Sequence, residues 1–298
     1  LEGREERLST EPSPFTHATL SPLNRQIAAE VHRPATGSDL LVYPVDLTGG
    51  TSLPTVLATG GVTRSPVWSH DGESVYFASD RSGTLDIWRR RADANEPAEA
   101  VVERIGDQVP ADISQDGRWL YFTEESPGNR DIYRVSLEPG SEPETVLATE
   151  HDEASPSLSP DGTHLVFETD ATGDFQVVVL EITTGRRWSV QRGYFPHWAP
   201  NGSRVFYWDG TQQNVIAWVE IETETEIVIS AVRGSVEHQV SYTFRLDVTR
   251  QGDRFLTAVP VDEAQDSEPG PIAPDAKETV NFVVNWFEEL EAALPTDG

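Results

Sequence analysis

The chain has 298 residues, with 50 Asp+Glu against 22 Lys+Arg, a formal net charge of −28, one lysine (Lys277), and neither cysteine nor methionine. Zero cysteine excludes disulfides, thiolate zinc sites and cysteine nucleophiles. The charge argues against nucleic acid as a main partner, since duplex binding needs a basic footprint, and no run of 18 apolar residues exists to span a membrane.

Taken in order, the chain repeats itself. The first unit reads Ser21-Pro22-Leu23-Asn24 before an apolar strand at Gln26-Ile27-Ala28, then Asp39-Leu40-Leu41 and Thr55-Val56-Leu57-Ala58. The second has Ser69-His70-Asp71-Gly72 before Ser74-Val75-Tyr76-Phe77, then Asp86-Ile87-Trp88 and Ala100-Val101-Val102. The third has Ser114-Gln115-Asp116-Gly117, Trp119-Leu120-Tyr121-Phe122, Asp131-Ile132-Tyr133 and Thr145–Ala148. The fourth has Ser159-Pro160-Asp161-Gly162, His164-Leu165-Val166-Phe167, Phe175–Val178 and Trp188–Val190. The fifth opens on Ala199-Pro200-Asn201-Gly202 before Arg204–Tyr207 and carries Glu226–Ile229; the sixth opens on Thr249-Arg250-Gln251-Gly252 before Arg254–Leu256.

The anchors stand at 21, 69, 114, 159, 199 and 249, spaced by 48, 45, 45, 40 and 50 residues. Asp-Gly or Asn-Gly between apolar runs supplies the positive φ of a tight hairpin turn. The residue before each anchor (Leu20, Trp68, Ile113, Leu158, Trp198, Val248) is apolar, as a buried inner strand requires. Four short strands per unit at this period predict an all-β fold, a six-bladed β-propeller of four-stranded antiparallel blades in one domain over 1–298. Each unit is too small to hold its own core. Residues 262–277, rich in Pro, Asp and Glu, read as a surface loop, and Thr279–Val284 as a third strand of unit six. Glu5–Thr10 is expected to supply that unit's outer strand, closing the ring by pairing both chain ends. Trp286, Leu290 and Leu294 have helical spacing, which predicts a short terminal helix over 286–294. The missing methionine is read as the mark of a mature or excised piece.

The Ser-Pro-Asp-Gly phrase, the aromatic strand after it and the Asp-Ile-Trp/Tyr phrase together resemble the TolB-like propellers, or WD40-like PD40 repeats, best over 66–90, 110–135 and 156–182. The tail Val283-Val284-Asn285-Trp286-Phe287-Glu288-Glu289-Leu290 is similar to the ending of C-terminal propellers of bacterial membrane-spanning serine/threonine kinases. The resemblance implies an extracytoplasmic sensing module that binds a protein or peptide partner, itself not inserted in a membrane, with a membrane-anchored parent protein as its setting. No Gly-rich loop with its lysine, His-Arg-Asp or Asp-Phe-Gly phrase of a kinase is present in the chain.

Two sets of residues carry candidate chemistry. Those two positions before each anchor are Thr19, Val67, Asp112, Ser157, His197 and Asp247, at one height around the axis. Of these, Asp112, His197 and Asp247 could hold a divalent cation, Ca²⁺ or Mn²⁺, in the central channel. The alternative is that they satisfy hydrogen bonds between inner strands. The second set lies where the chain enters the inner strands: His17, Arg64, Asp107, Gln108, His151, Asp152, Glu153, Tyr194, His238 and Gln239. These are expected to ring one channel mouth and bind a small ligand or inserted peptide. No complete catalytic motif is present, so no catalytic residue is assigned. The main reading is a non-catalytic recognition module, and the rival is a propeller lyase or hydrolase using the His/carboxylate metal site. Trp88, Tyr133 and Trp218 read as packing between blades rather than sugar platforms, and Arg89-Arg90-Arg91 as pairing with local carboxylates.

Overall fold

The computed structural model describes residues 5–7, 15–23, 25–33, 35–44, 53–212, 215–222, 228–230, 234–237, 247–248, 254–260 and 280–286; outside 16–230 only the backbone is described. Among the described residues every regular element is a strand, and no helix is long and apolar enough to cross a membrane. In chain order β1 is Glu5–Arg7. Unit one is β2 (Phe15–Leu20), β3 (Gln26–Arg33), β4 (Gly37–Pro44) and β5 (Thr55–Ala58). Unit two is β6 (Thr63–Trp68), β7 (Ser74–Ser79), β8 (Asp86–Arg91) and β9 (Glu99–Val102). Unit three is β10 (Asp107–Ile113), β11 (Trp119–Ser126), β12 (Asn129–Ser136) and β13 (Glu144–Leu147). Each of these is a four-stranded antiparallel meander.

Units four and five share one eight-stranded sheet: β14 (Glu153–Leu158), β15 (His164–Thr169), β16 (Gln176–Glu181), β17 (Arg187–Trp198), β18 (Arg204–Asp209), β19 (Val215–Glu222), β20 (Val228–Ile229) and β21 (Gly234–Glu237). Strand β17 joins them. Its first half pairs with β16 as the outer strand of unit four, and its second half, from Gly193, pairs with β18 as the inner strand of unit five. No connecting loop intervenes. At the junction a side chain on Gly193 would lie 2.6 Å from the Tyr207 ring and 2.7 Å from the Trp208 carbonyl, so only glycine lets the strand pass. Both β20 and β21 flank β19, with a two-residue slip of register between them. The last sheet is β22 (Asp247–Val248), β23 (Arg254–Pro260) and β24 (Val280–Trp286), with β1 on the far edge of β24 through Glu5↔Asn285, Glu6↔Val284 and Arg7↔Val283. Both chain ends therefore meet in one sheet. Trp286 closes a strand rather than opening a helix; the rest of the expected 286–294 helix, and the 262–277 loop, lie outside the described residues.

The repeated phrase builds one hairpin device. Ser69 Oγ donates to Asp71 (2.5 Å) and accepts the Ser74 N–H (2.9 Å), while Asp71 accepts the Glu73 N–H (2.9 Å). The same three bonds recur at Ser114/Asp116 and Ser159/Asp161. The hairpin glycines Gly72, Gly117, Gly162 and Gly202 all have φ of 70–73°, the left-handed conformation glycine adopts without steric cost.

Second strands read as continuous apolar runs because both their faces are buried. On β7, Val75 and Phe77 join the core shared with unit one, while Tyr76 faces unit three. On β11, Leu120 and Phe122 face unit two and Tyr121 faces unit four. On β15, Leu165 and Phe167 face unit three and Val166 faces unit five. Phe77, Phe122 and Phe167 are wholly buried, each contributing roughly 2–3 kcal/mol. Trp218 is buried, and Trp88 and Tyr133 are half-buried against these cores, which is the packing role expected of them. Arg89 pairs with Glu99 and Arg91 with Glu73 and Asp93, whereas Arg90 reaches the Leu57 carbonyl of unit one (2.5 Å) and staples the two sheets.

Candidate functional site at the channel

The first strands of successive units touch in sequence, β2 to β6, β6 to β10, β10 to β14 and β14 to β17, and β2 also meets β22 and β23. They surround a channel. Each of β2, β6, β10, β14 and β17 carries a register shift just before its apolar end. In three of them the shift falls on a residue followed by proline. Ser65, Ser155 and Phe195, before Pro66, Pro156 and Pro196, have φ of 55°, 53° and 49°, a conformation that costs a non-glycine residue about 1–3 kcal/mol. Buried carboxylates on second strands hold these kinks. Glu168 accepts the Phe195 N–H (2.7 Å) and the Ser155 hydroxyl (3.1 Å). Glu30 likewise accepts the Ser65 backbone N–H; burial raises its carboxyl above the ordinary value, against the opposing pull of that bond and of Arg64.

The three kinks share one cavity of about 370 Å³, lined also by His17, Glu30, Arg64, Glu125 and Arg130. Arg64 reaches Glu125 at 3.1 Å, and Arg130 pairs with Asp152 at 3.0 Å while lying over the Phe175 ring. The mouth is thus close to charge balance on a chain that carries −28 overall. Beyond it, toward the hairpin turns, a second cavity of about 220 Å³ is lined by His17, His70, Asp112, Gln115 and His197.

Of the expected mouth residues, the structure brings His17 and Arg64 to the larger cavity. His17, Asp112 and His197 meet at the smaller one, although among the described residues no three His, Asp or Glu side chains come together as a metal site. Asp107 instead accepts the Leu85 N–H (3.0 Å), tying unit three to unit two. Gln108 is wholly buried. Glu153 is buried and accepts the Thr149 N–H (3.2 Å), and Asp152 is held by Arg130. His151 is half-exposed, 3.9 Å from Glu150 and Asp170. Tyr194 packs against Phe175. Asp247 lies on β22 with its side chain outside the description, and His238 and Gln239 lie outside the described residues. At the axial positions the hydrogen-bonding alternative is visible. Asp112 accepts the Ile113 N–H (2.8 Å) and, across the gap, the Leu158 N–H of unit four (2.7 Å). Ser157 does the same for Trp198 of unit five (3.2 Å). Sequence reasoning missed Glu30, Glu125, Arg130 and the kinks; the recurring X-Pro three residues before the anchor was the available signal for the kinks.

Residues 94–242, half of the chain, match the TolB β-propeller domain family, PD40. The chain belongs to the TolB β-propeller family. No curated protein matches it in sequence. Among solved structures, this TolB-family chain resembles a protein assigned as TolB from Agrobacterium tumefaciens (16% identity, 82% of this chain and 89% of that one, TM-score 0.62). It also resembles TolB from Acinetobacter baumannii (15%, 89% of this chain and 64% of that one, TM-score 0.60) and a protein assigned as a 6-phosphogluconolactonase from Bacteroides uniformis (15%, 81% and 76%, TM-score 0.56). At these identities the likeness is one of fold.

Proposed function

We propose that the chain is a single six-bladed propeller, closed by β1, that works outside the cytoplasm as a non-catalytic recognition module and binds a protein or small ligand at its channel mouth. The observation that carries this is the mouth cavity, where two guanidinium groups (Arg64, Arg130), two carboxylates (Glu30, Glu125) and three strained backbone kinks share one wall. Such kinks are kept where a site needs them, and balanced charges of both signs fix the orientation of a polar ligand. The extracytoplasmic setting rests on the likeness to TolB proteins. A parent with a membrane-anchored kinase rests on the Asn285-Trp286-Phe287 tail alone. The test is a screen of peptides and metabolites by calorimetry: a ligand whose binding falls at least tenfold in Arg64→Ala and Arg130→Ala supports the reading. Turnover of hydrolase or lyase substrates, abolished by those variants, would replace it.

The enzyme reading has one observation in its favour, the shared cavity of His17, Asp112 and His197. Against it, both Asp112 oxygens already accept backbone N–H groups, which leaves that carboxylate engaged in structure.

A further inference from the structure

One row of polar side chains lies outside the channel reading. Across β10, β11 and β12, Gln108 pairs with Glu124 and Glu124 pairs with Asp131, so all three stand side by side on one face of unit three. That face packs against unit two: Phe122 and Tyr133, one alternation further along the same strands, belong to the core shared with Tyr76 and Ile87. In unit two the corresponding row is Thr63, Ser79 and Asp86, with hydroxyls where unit three has an amide and a second carboxylate.

Unit three's row is rich in acceptors and short of donors. Gln108 is wholly buried; its Nε2 is directed at the Ile105 and Gly106 carbonyls (3.4 and 3.1 Å) and lies 3.5 Å from Glu124 Oε2, while its Oε1 is buried with no donor. Asn129, two residues before Asp131 and on the same face, gives its Nδ2 to Asp131 (3.1 Å) and the Thr149 carbonyl (3.0 Å), and its Oδ1 is also buried without a donor. Glu124 and Asp131 are carboxylates directly opposite one another, an arrangement that destabilises a sheet when nothing lies between them. The one cation near is Arg104, 3.4 Å from Glu124 and held over the Tyr133 ring. Two carboxylates and two orphaned amide oxygens form the donor set of a hard oxygen-seeking cation, one that takes carboxylates and Asn or Gln carbonyls together and completes its shell with water.

We propose that Gln108 Oε1, Glu124, Asn129 Oδ1 and Asp131 form a binding site for a hard divalent cation of the calcium class, between units two and three and away from the channel axis. Burial raises the Glu124 carboxyl above the ordinary value, with Asp131 adding to the rise and Arg104 and Gln108 opposing it. Burial likewise raises Asp131, with Asp152 adding to it. Both carboxylates thus lack compensating positive charge. A cation there would take over part of the pairing that Arg104 gives Glu124, and would join three strands of one sheet.

The test is thermal unfolding of the full chain after chelation, in Ca²⁺ and in NaCl of matched ionic strength, since any salt screens a charge of −28. Ca²⁺ at a hundredfold excess over Kd is expected to raise the midpoint by roughly 4 °C beyond matched NaCl. The rise should vanish in Glu124→Gln and persist in Asp112→Asn. Glu124→Gln is expected to fold, because its carboxamide supplies the donor Gln108 Oε1 lacks. Independently, Tb³⁺ luminescence excited through Tyr133 should appear, be quenched by Ca²⁺ competition and be lost in Glu124→Gln. No rise beyond matched NaCl, or an undiminished rise in Glu124→Gln, overturns the proposal. A rise lost only in Asp112→Asn would move the ion to the channel.

Discussion

Ser114 shows how one residue of the repeat does its work. Its hydroxyl accepts the Trp119 N–H and donates to Asp116, and it is nearly buried. Ser114→Ala should therefore cost about 1–2 kcal/mol by leaving a partner unsatisfied, read as a lower denaturant midpoint with unchanged slope. The aspartates of the phrase carry a pH signature. The Ser69 hydroxyl and Glu73 N–H hold the Asp71 carboxyl below its ordinary value, and Ser114 and Arg118 N–H do so for Asp116. Their contribution is present above the ordinary carboxylate value and is lost as pH falls through the depressed one. Asp116→Asn should thus be less stable than the parent at pH 7, by a margin that shrinks toward pH 3. Glu30 runs the other way: burial raises it above 4.5, so its contribution is present below that value and lost as pH rises through the raised one. Glu30→Gln should equal or exceed the parent's melting temperature at pH 7 and lose that advantage near pH 4.5.

At the scale of elements, the joints between units decide behaviour. Asp112 bridges inner strands of units three and four through the Leu158 N–H. Asp112→Ala strands two backbone donors and should cost about 2–3 kcal/mol, while Asp112→Asn, which keeps an acceptor, should cost less. Gly193 is the other joint, where β17 passes from one unit to the next beneath Tyr207. Gly193→Ala should destabilise by about 1–3 kcal/mol through overpacking and perturb Tyr207 fluorescence. The outer strand of unit four and the inner strand of unit five were legible as separate runs, Trp188–Val190 and the stretch before Trp198. Their fusion was not, because nothing in apolar periodicity marks a strand that changes partners midway. The Asp-Ile-Trp/Tyr phrase was legible as a strand start, but the job of its aspartate was not. Asp86 accepts the Arg104 N–H eighteen residues on, tying the end of one sheet to the approach to the next.

For the whole molecule, charge and closure are the governing terms. Acids far outnumber bases, and self-repulsion opposes compaction at low ionic strength. The melting temperature should rise from low salt to molar NaCl; a flat profile would count against this account. What the sequence by itself determined is the unit. A short-range signal, Ser-x-Asp-Gly between apolar runs, suffices for a hairpin because turn and strand involve neighbours in the chain. Repetition then implies stacked sheets, since no unit can bury its second strand alone. What only the tertiary structure decided is which polar groups meet. Glu30, Arg64, Glu125 and Arg130 reach one cavity from four strands, and the wall depends on bulges that turn Ser65, Ser155 and Phe195 into the channel lining. Glu124, Asp131 and Gln108 meet only through cross-strand register. In a chain with 50 carboxylates, no spacing rule picks out the few that lack a counter-charge; that is set by which side chains burial cuts off from water and which donors the neighbouring strands bring within reach.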